Sequence, residues 1–263
     1  MKRSFAFIVG FFVVASASAG VRIETVERNI ASGQVTDDAQ TIRVQDGNLR
    51  VSSRGDGTVI MKGDSIYVLD DKSKVYREMD RATLESYAKQ ASSMMAQMRE
   101  RMAAMPPQQR EMMEKMMGGM APGMGSAKPD VYEARNTGRS DKVDGRACQV
   151  VNLLRNGTVT EELCVVPFST LPGKEDLQAA FKRLAEVFEG LTSAMPNAQN
   201  DMKIRGSIDG FPIRTRSFAN GKPDGTEQVL KTWVEEAIPA AMFSAPAGYK
   251  KEAMPKMPAM DEM

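Results

Sequence analysis

GTVIMKGDSIYVLDDKSKVYREM, residues 57–79, alternates apolar and polar side chains around two clusters of turn formers. Val59 and Met61, then Ile66 and Val68, then Val75, Arg77 and Met79 follow period two, the pattern of short strands with one face buried. Lys62-Gly63-Asp64 and Asp70-Asp71-Lys72-Ser73 separate them, and glycine and aspartate favour tight reversals. The pattern extends backward through Leu49 and Val51, Ile42 and Val44, to Val21 and Ile23. Its further turn signals are Asp46-Gly47-Asn48 and Gly55-Asp56-Gly57. Residues 21–80 therefore read as a meander of antiparallel strands.

After this meander the period changes. Asp80 is placed as a helix N-cap, and Leu84, Tyr87, Ala88, Ala91, Met94, Met95, Met98, Met102 and Met105 then recur every three or four residues. Pro106-Pro107 stops this helix and starts a second one carrying Met112, Met113, Met116 and Met117, which Gly118-Gly119 ends. Residues 121–129 read as a linker. Strand character returns at 132–137, 147–154 and 159–166. Leu177, Phe181, Leu184, Val187, Phe188 and Leu191 trace one face of a helix over about 174–194. Ile208, Ile213 and Phe218 suggest another strand, residues 220–225 a loop, and 226–235 its partner strand with Trp233 against the core. The predicted fold is α+β, an antiparallel sheet packed on helices. One domain spans 20–249, interrupted by a Met-rich helical insertion and linker at 81–130, and a disordered Met/Pro tail follows at 250–263.

The chain has 35 Lys+Arg against 34 Asp+Glu, so it lacks the basic surplus that binds phosphate backbones, and no nucleic-acid partner is expected. It contains no histidine, which excludes Ser-His-Asp and Cys-His catalysis and imidazole metal sites. Phosphate-loop, nucleophile-elbow and zinc-protease motifs are absent from the sequence. Glu161-Glu162 and Glu235-Glu236 are adjacent, point to opposite faces of a strand and read as solvated edges. The expectation is a protein without catalytic residues or a cofactor.

Lys2 and Arg3, the apolar run from Phe5 to Val14 and the small residues of Ala15–Gly20 make residues 1–19 a secretory signal peptide, with cleavage expected between Ala19 and Gly20. The apolar run is shorter than the roughly 20 residues a spanning helix needs, so no stable transmembrane anchor is expected. Export to an oxidising periplasm makes a disulfide the expected state of Cys148 and Cys164. A three-residue loop at Arg155-Asn156-Gly157 would set the two cysteines directly opposite each other.

Methionine is the compositional anomaly: eleven of 21 lie between Met94 and Met124, and Met254, Met257, Met260 and Met263 recur every third residue. An unbranched, polarizable side chain at helical spacing reads first as packing or as a pliable binding face. Thioethers are also soft ligands for Cu(I) or Ag(I), which makes Met112, Met113, Met116, Met117, Met120 and Met124 weak candidate ligands.

Three segments carry a resemblance to a family of Gram-negative envelope proteins known as domain of unknown function 4412. They are the strand pair from Met61 to Asp70 with Lys74-Val75-Tyr76, the run from Met105 to Met113, and the ending Ile238-Pro239, Phe243, Pro246, Gly248 and Tyr249. That family is distantly similar to the periplasmic lipoprotein carriers. The resemblance implies a half-barrel sheet wrapped over helices with an apolar cavity between them. The expected function is non-enzymatic binding of a hydrophobic ligand, such as a lipid or acyl chain, or of an envelope protein partner, with helix Asp176–Leu191 and the Met stripe lining the site. Binding or buffering of Cu(I) or Ag(I), and a pure protein-interaction role, are the alternatives.

Overall fold

In the computed structural model, residues 19–54, 57–106, 108–109, 130–193, 196–219 and 221–254 are described. The meander forms as the alternation predicts: β1 (Gly20–Asn29), β2 (Val35–Gln45), β3 (Asn48–Ser53), β4 (Gly57–Lys62), β5 (Ser65–Asp70) and β6 (Val75–Met79). Each of β2 to β6 pairs antiparallel with its predecessor. Between β2 and β3, Gln45 pairs with Asn48 around Asp46 and Gly47. Both have positive φ, 52° and 71°, as the mirror-image two-residue hairpin turn requires.

Asp80 does cap helix α1 (Arg81–Ala104): its carboxylate accepts the Thr83 backbone N–H at 2.8 Å. Hydrogen bonds from the Thr83 hydroxyl and then from that N–H hold the Asp80 carboxyl below the usual range. Leu84 and Ala88, one turn apart, are buried, and Leu84 belongs to the main core. The start of the segment read as an insertion is thus a structural part of the sheet's packing. The second Met-rich helix and the linker lie outside the described residues.

The later strands are β7 (Tyr132–Val143), β8 (Arg146–Arg155), β9 (Thr158–Val166), β10 (Phe211–Ala219) and β11 (Lys222–Glu236). Antiparallel pairing of β11 with β1 joins the two halves, with a last strand β12 (Lys250–Glu252), into one unclosed, curved sheet ordered β12-β6-β5-β4-β3-β2-β1-β11-β10-β9-β8-β7. The loop expected at 220–225 is smaller: Ala219 pairs with Lys222, so Pro223, Asp224 and Gly225 already belong to β11. The tail is corrected at its start. Lys250–Glu252 forms β12, parallel to β6, held by ion pairs Arg77–Glu252 and Lys251–Glu78, both at 2.6 Å. Residues 255–263 are outside the described residues.

Helix α2 (Lys174–Ser193) matches the predicted span. Leu177 and Ala180 are fully buried, and Leu184, Val187 and Phe188 pack beside them. Phe181 is the correction: it is 39% exposed, because it falls on the flank of the buried stripe. The core joins Val21, Ile23, Val44, Leu49, Met61 and Ile66 of the early strands to Val166, Phe211, Ile213 and Val229 of the late ones. Trp233 stacks edge-on to Phe211 with ring centres 4.9 Å apart, and its indole N–H donates to the Pro172 carbonyl.

Two smaller clusters cover other surfaces. Helix α3 (Pro196–Gly206), which the sequence pattern does not announce, brings Ile204 onto Leu153, Leu163 and Val165. It is tied down by Arg205, which bridges Glu161 and Asp201. The segment from Ile238 to Tyr249 straps Ile60 and Leu69 on the face opposite the main core.

Gly173, at the entry to α2, has φ of +62°, and a Cβ there would collide with the Val21 side chain. Gly173→Ala is expected to destabilise the fold by about 1–3 kcal/mol through left-handed strain and overpacking, read as a lower urea midpoint with an unchanged m-value.

Candidate functional site

β2 to β6 lack irregularities in register, so their side chains line up in rows across the sheet. One row, Val21, Val44, Leu49, Met61, Ile66 and Met79, runs through consecutive pairings and is buried in the core except for Met79. Two residues along each strand, Ile23, Ile42, Val51, Val59 and Val68 form a second row on the same face. Ile23 is fully buried, Ile42, Val51 and Val68 are half-buried against the core, and Val59 is 43% exposed. This strip of β-branched side chains emerges from the packed core toward solvent. Arg77 closes its far end, pairing with Val68.

A further two residues along, the row becomes polar: Thr25 pairs with Gln40, and Gln40 with Ser53. There a cavity of about 330 Å³ opens, lined by Glu27, Gln40, Ser53, Thr215, Thr226 and Gln228 among others. Gln228 donates to Thr25 at 3.2 Å, and Gln40 to Ser53 at 3.4 Å. Apolar strip and polar trough thus form a continuous amphiphilic surface.

Beside the trough lies a charge network on β1, β7, β9, β10 and β11. Arg214 is 4% exposed and Glu227 4%. Arg214 contacts Asp141 at 2.8 Å, Glu162 at 3.1 Å and, through Nε, Glu227 at 3.7 Å. Arg216 and Arg28 each reach Glu227 at 2.6 Å, and Arg139 reaches Glu162 at 2.7 Å. Burial opposes ionisation of Glu227, but hydrogen bonds from Arg216 and Arg28 outweigh it and hold the carboxyl below its usual range. The Lys142 backbone N–H, then Arg214, lowers Asp141 likewise. Glu161 and Glu162 point to opposite sides, as strand geometry requires, but Glu162 is not a solvated edge. It is 8% exposed because Arg139, Arg214 and Arg216 supply its counter-charges.

The expected disulfide is present, but its register differs. Arg155 pairs with Thr158 across a two-residue turn of Asn156 and Gly157, with φ of 53° and 78°. An irregularity at Leu153/Leu154 then shifts the ladder again, so Cys164 faces Val150 and the disulfide runs diagonally to Cys148, with Cα atoms 5.4 Å apart. Side chains two residues apart share a face, which keeps the bridge feasible. The Asn156 amide is engaged at both ends, accepting from the Val131 N–H and donating to Asp130.

Of the residues expected to line the site, Leu177, Leu184, Val187 and Phe188 fill the space between sheet and helix. Met94 and Met105 of the Met stripe are half-buried. Met112, Met113, Met116, Met117, Met120 and Met124, the thioether candidates, lie outside the described residues, as do residues 1–18 of the stretch 1–19 expected to be a signal peptide. No helix among the described residues is long and apolar enough to cross a membrane.

Fold and surface together define an open-sheet protein with an amphiphilic face. The chain belongs to the family described as Domain of unknown function (DUF4412), whose model matches residues 83–249. The early strand pair at 61–76 lies before the matched range, while the ending at 238–249 lies within it. No curated protein matches the chain. Among solved structures it is similar to an uncharacterized conserved protein from Thermus thermophilus, at 8% identity and a TM-score of 0.43 over 90% of this chain and 91% of that one. It is also similar to PNGF-II, at 8% identity and a TM-score of 0.38, covering 90% of this chain but 32% of that one. A LolA superfamily protein from Nitrosomonas europaea aligns at 10% identity and a TM-score of 0.29, over 88% and 91% of the two chains.

Proposed function

We propose that this protein is a non-enzymatic periplasmic binder of a hydrophobic chain, a lipid acyl chain above all, and that the chain lies along Ile42, Val51, Val59 and Val68. The observation that supports this reading is the row itself. Four aliphatic residues in adjacent strands leave the packed core on one face and remain partly open to solvent. Solvent-facing sheet rows ordinarily carry polar side chains, so a contiguous aliphatic row marks a contact surface. An extended chain laid across it would bury both surfaces, at about 25 cal/mol per Å² of apolar area. No cofactor is needed for this role. The Cys148–Cys164 disulfide fits an exported, oxidising setting.

Native mass spectrometry of the protein purified from its own envelope compartment tests the reading. The expected result is a releasable mass of acyl-chain size, lost in the double variant Val51→Asp, Val59→Asp, which places carboxylates on the strip. A protein that carries no such mass and takes up no alkyl probe would contradict it.

A further inference from the structure

The trough beside the strip is chemically specific. Its lining at Gln40, Ser53, Thr215, Thr226 and Gln228 is hydroxyl and carboxamide, groups that both donate and accept hydrogen bonds. Among the described residues, the side chains of Thr215, Thr226 and Glu27 have no hydrogen-bond partner, so their capacity is open to a ligand. The volume, about 330 Å³, falls at the small end of ligand sites. The strip ends two residues away along the strands, a distance of about 7 Å at the usual rise.

The charges decide which headgroup fits. An anionic group in the trough would meet the Glu27 carboxylate. The nearby guanidinium groups of Arg28, Arg214 and Arg216 are already committed to Glu162, Glu227 and Asp141. Arg54, which also lines the trough, is engaged in an interaction of its own. A phosphate-bearing lipid or a free fatty acid therefore finds no uncommitted cation among the described residues here. A neutral polyhydroxylated group would pair with the hydroxyls and amides and could donate to Glu27.

We propose that the trough recognises an uncharged, hydroxyl-rich headgroup, such as a sugar, on the same molecule whose alkyl chain occupies the strip. This rests on the proposed function above and adds the headgroup class to it.

Isothermal titration of the mature protein with four monomeric probes tests it: octyl β-glucoside, octanoate, octyl phosphate and free glucose. The expected order places octyl glucoside at least about tenfold tighter than either anionic octyl probe, with glucose much weaker. Gln228→Leu and Thr215→Val, at exposed and half-buried sites that leave the core intact, should each erase the preference while leaving octyl binding in place. Equal or tighter binding of the anionic probes would overturn the headgroup assignment and leave the strip reading standing. Failure of all three octyl probes would overturn the strip reading and this inference together. Glucose binding as tight as octyl glucoside would also overturn the inference, because it would remove the chain from recognition.

Discussion

Arg214→Ala is expected to destabilise the protein by about 3 kcal/mol, far more than its surface counterparts, because it removes the buried guanidinium that Asp141 and Glu162 contact and leaves the buried carboxylates only the counter-charges of Arg28, Arg139 and Arg216. The Arg214 side chain is 5% exposed and lies within ion-pair distance of Asp141, Glu162 and Glu227. Glu162 and Glu227 are themselves at 11% and 3%, so water cannot replace the lost guanidinium. Arg135→Ala is the control. Its ion pair with Glu133 is 3.0 Å long, but the two side chains are 57% and 50% exposed, and the change should stay within about 0.5 kcal/mol. Urea unfolding of both variants beside the wild type measures the contrast.

The same network gives stability a direction with pH. The Glu227 and Asp141 carboxyls titrate below their unfolded values. The unfolded chain therefore binds these protons first as pH falls. The contribution is fully present above the ordinary carboxylate range and is lost as pH drops through the lowered values. Acid unfolding of Glu227→Gln should accordingly be shallower than that of the wild type, from a lower starting stability.

Removing the disulfide should cost about 3 kcal/mol. Cys148 and Cys164 are 16 residues apart, and in the chain-entropy model closing a loop of about that length restricts the unfolded ensemble by roughly this amount. Both cysteines are buried, at 4% and 0% exposure, within the core that includes Val166 and Ile213. Cys148→Ala, Cys164→Ala should therefore lower the thermal midpoint and respond little to added reductant. The wild type should fall to a similar midpoint only after reduction. An unchanged midpoint in the double variant would show that the bridge contributes little beyond the packing of two small apolar residues.

Much of the fold was legible because the meander obeys one rule without interruption. Val59, Met61, Ile66 and Val68 alternate, glycine and aspartate mark the reversals, and the strands follow. Helix α2 was legible for the same reason, apart from Phe181, whose position on the stripe's flank is set by how the helix sits on the sheet. The diagonal cysteine geometry was not legible. A two-residue turn and an irregularity one pair later shift the register, and each depends on backbone twist rather than residue type. Helix α3 has little amphipathic pattern. Beyond the local Arg205–Asp201 pair, it is held by Arg205 on Glu161 and by Ile204 on Leu163, contacts that bring together residues about 40 positions apart.

The site was legible only in part. The alternation marks Ile42, Val51, Val59 and Val68 as one-face residues, but it does not separate them from Val44, Leu49, Met61 and Ile66, which follow the same pattern and are buried in the core. The charge network was invisible because Glu162, Arg214 and Glu227 come from three strands and each looks like an ordinary surface residue in its own segment. Alternation sends Glu161 and Glu162 to opposite faces, as the sequence reading has it, but that reading leaves both solvated, whereas the fold pairs Glu161 with Arg205 and buries Glu162 in the charge network.

Methyl-resolved NMR during titration with octyl β-glucoside tests the central claim most directly. Binding along the strip should perturb the Ile42, Val51, Val59 and Val68 methyl resonances, and leave unchanged Ile60, which lies under the strap on the opposite face. Perturbation centred on Ile60, or no response along the four-residue row at saturating probe, would contradict the account.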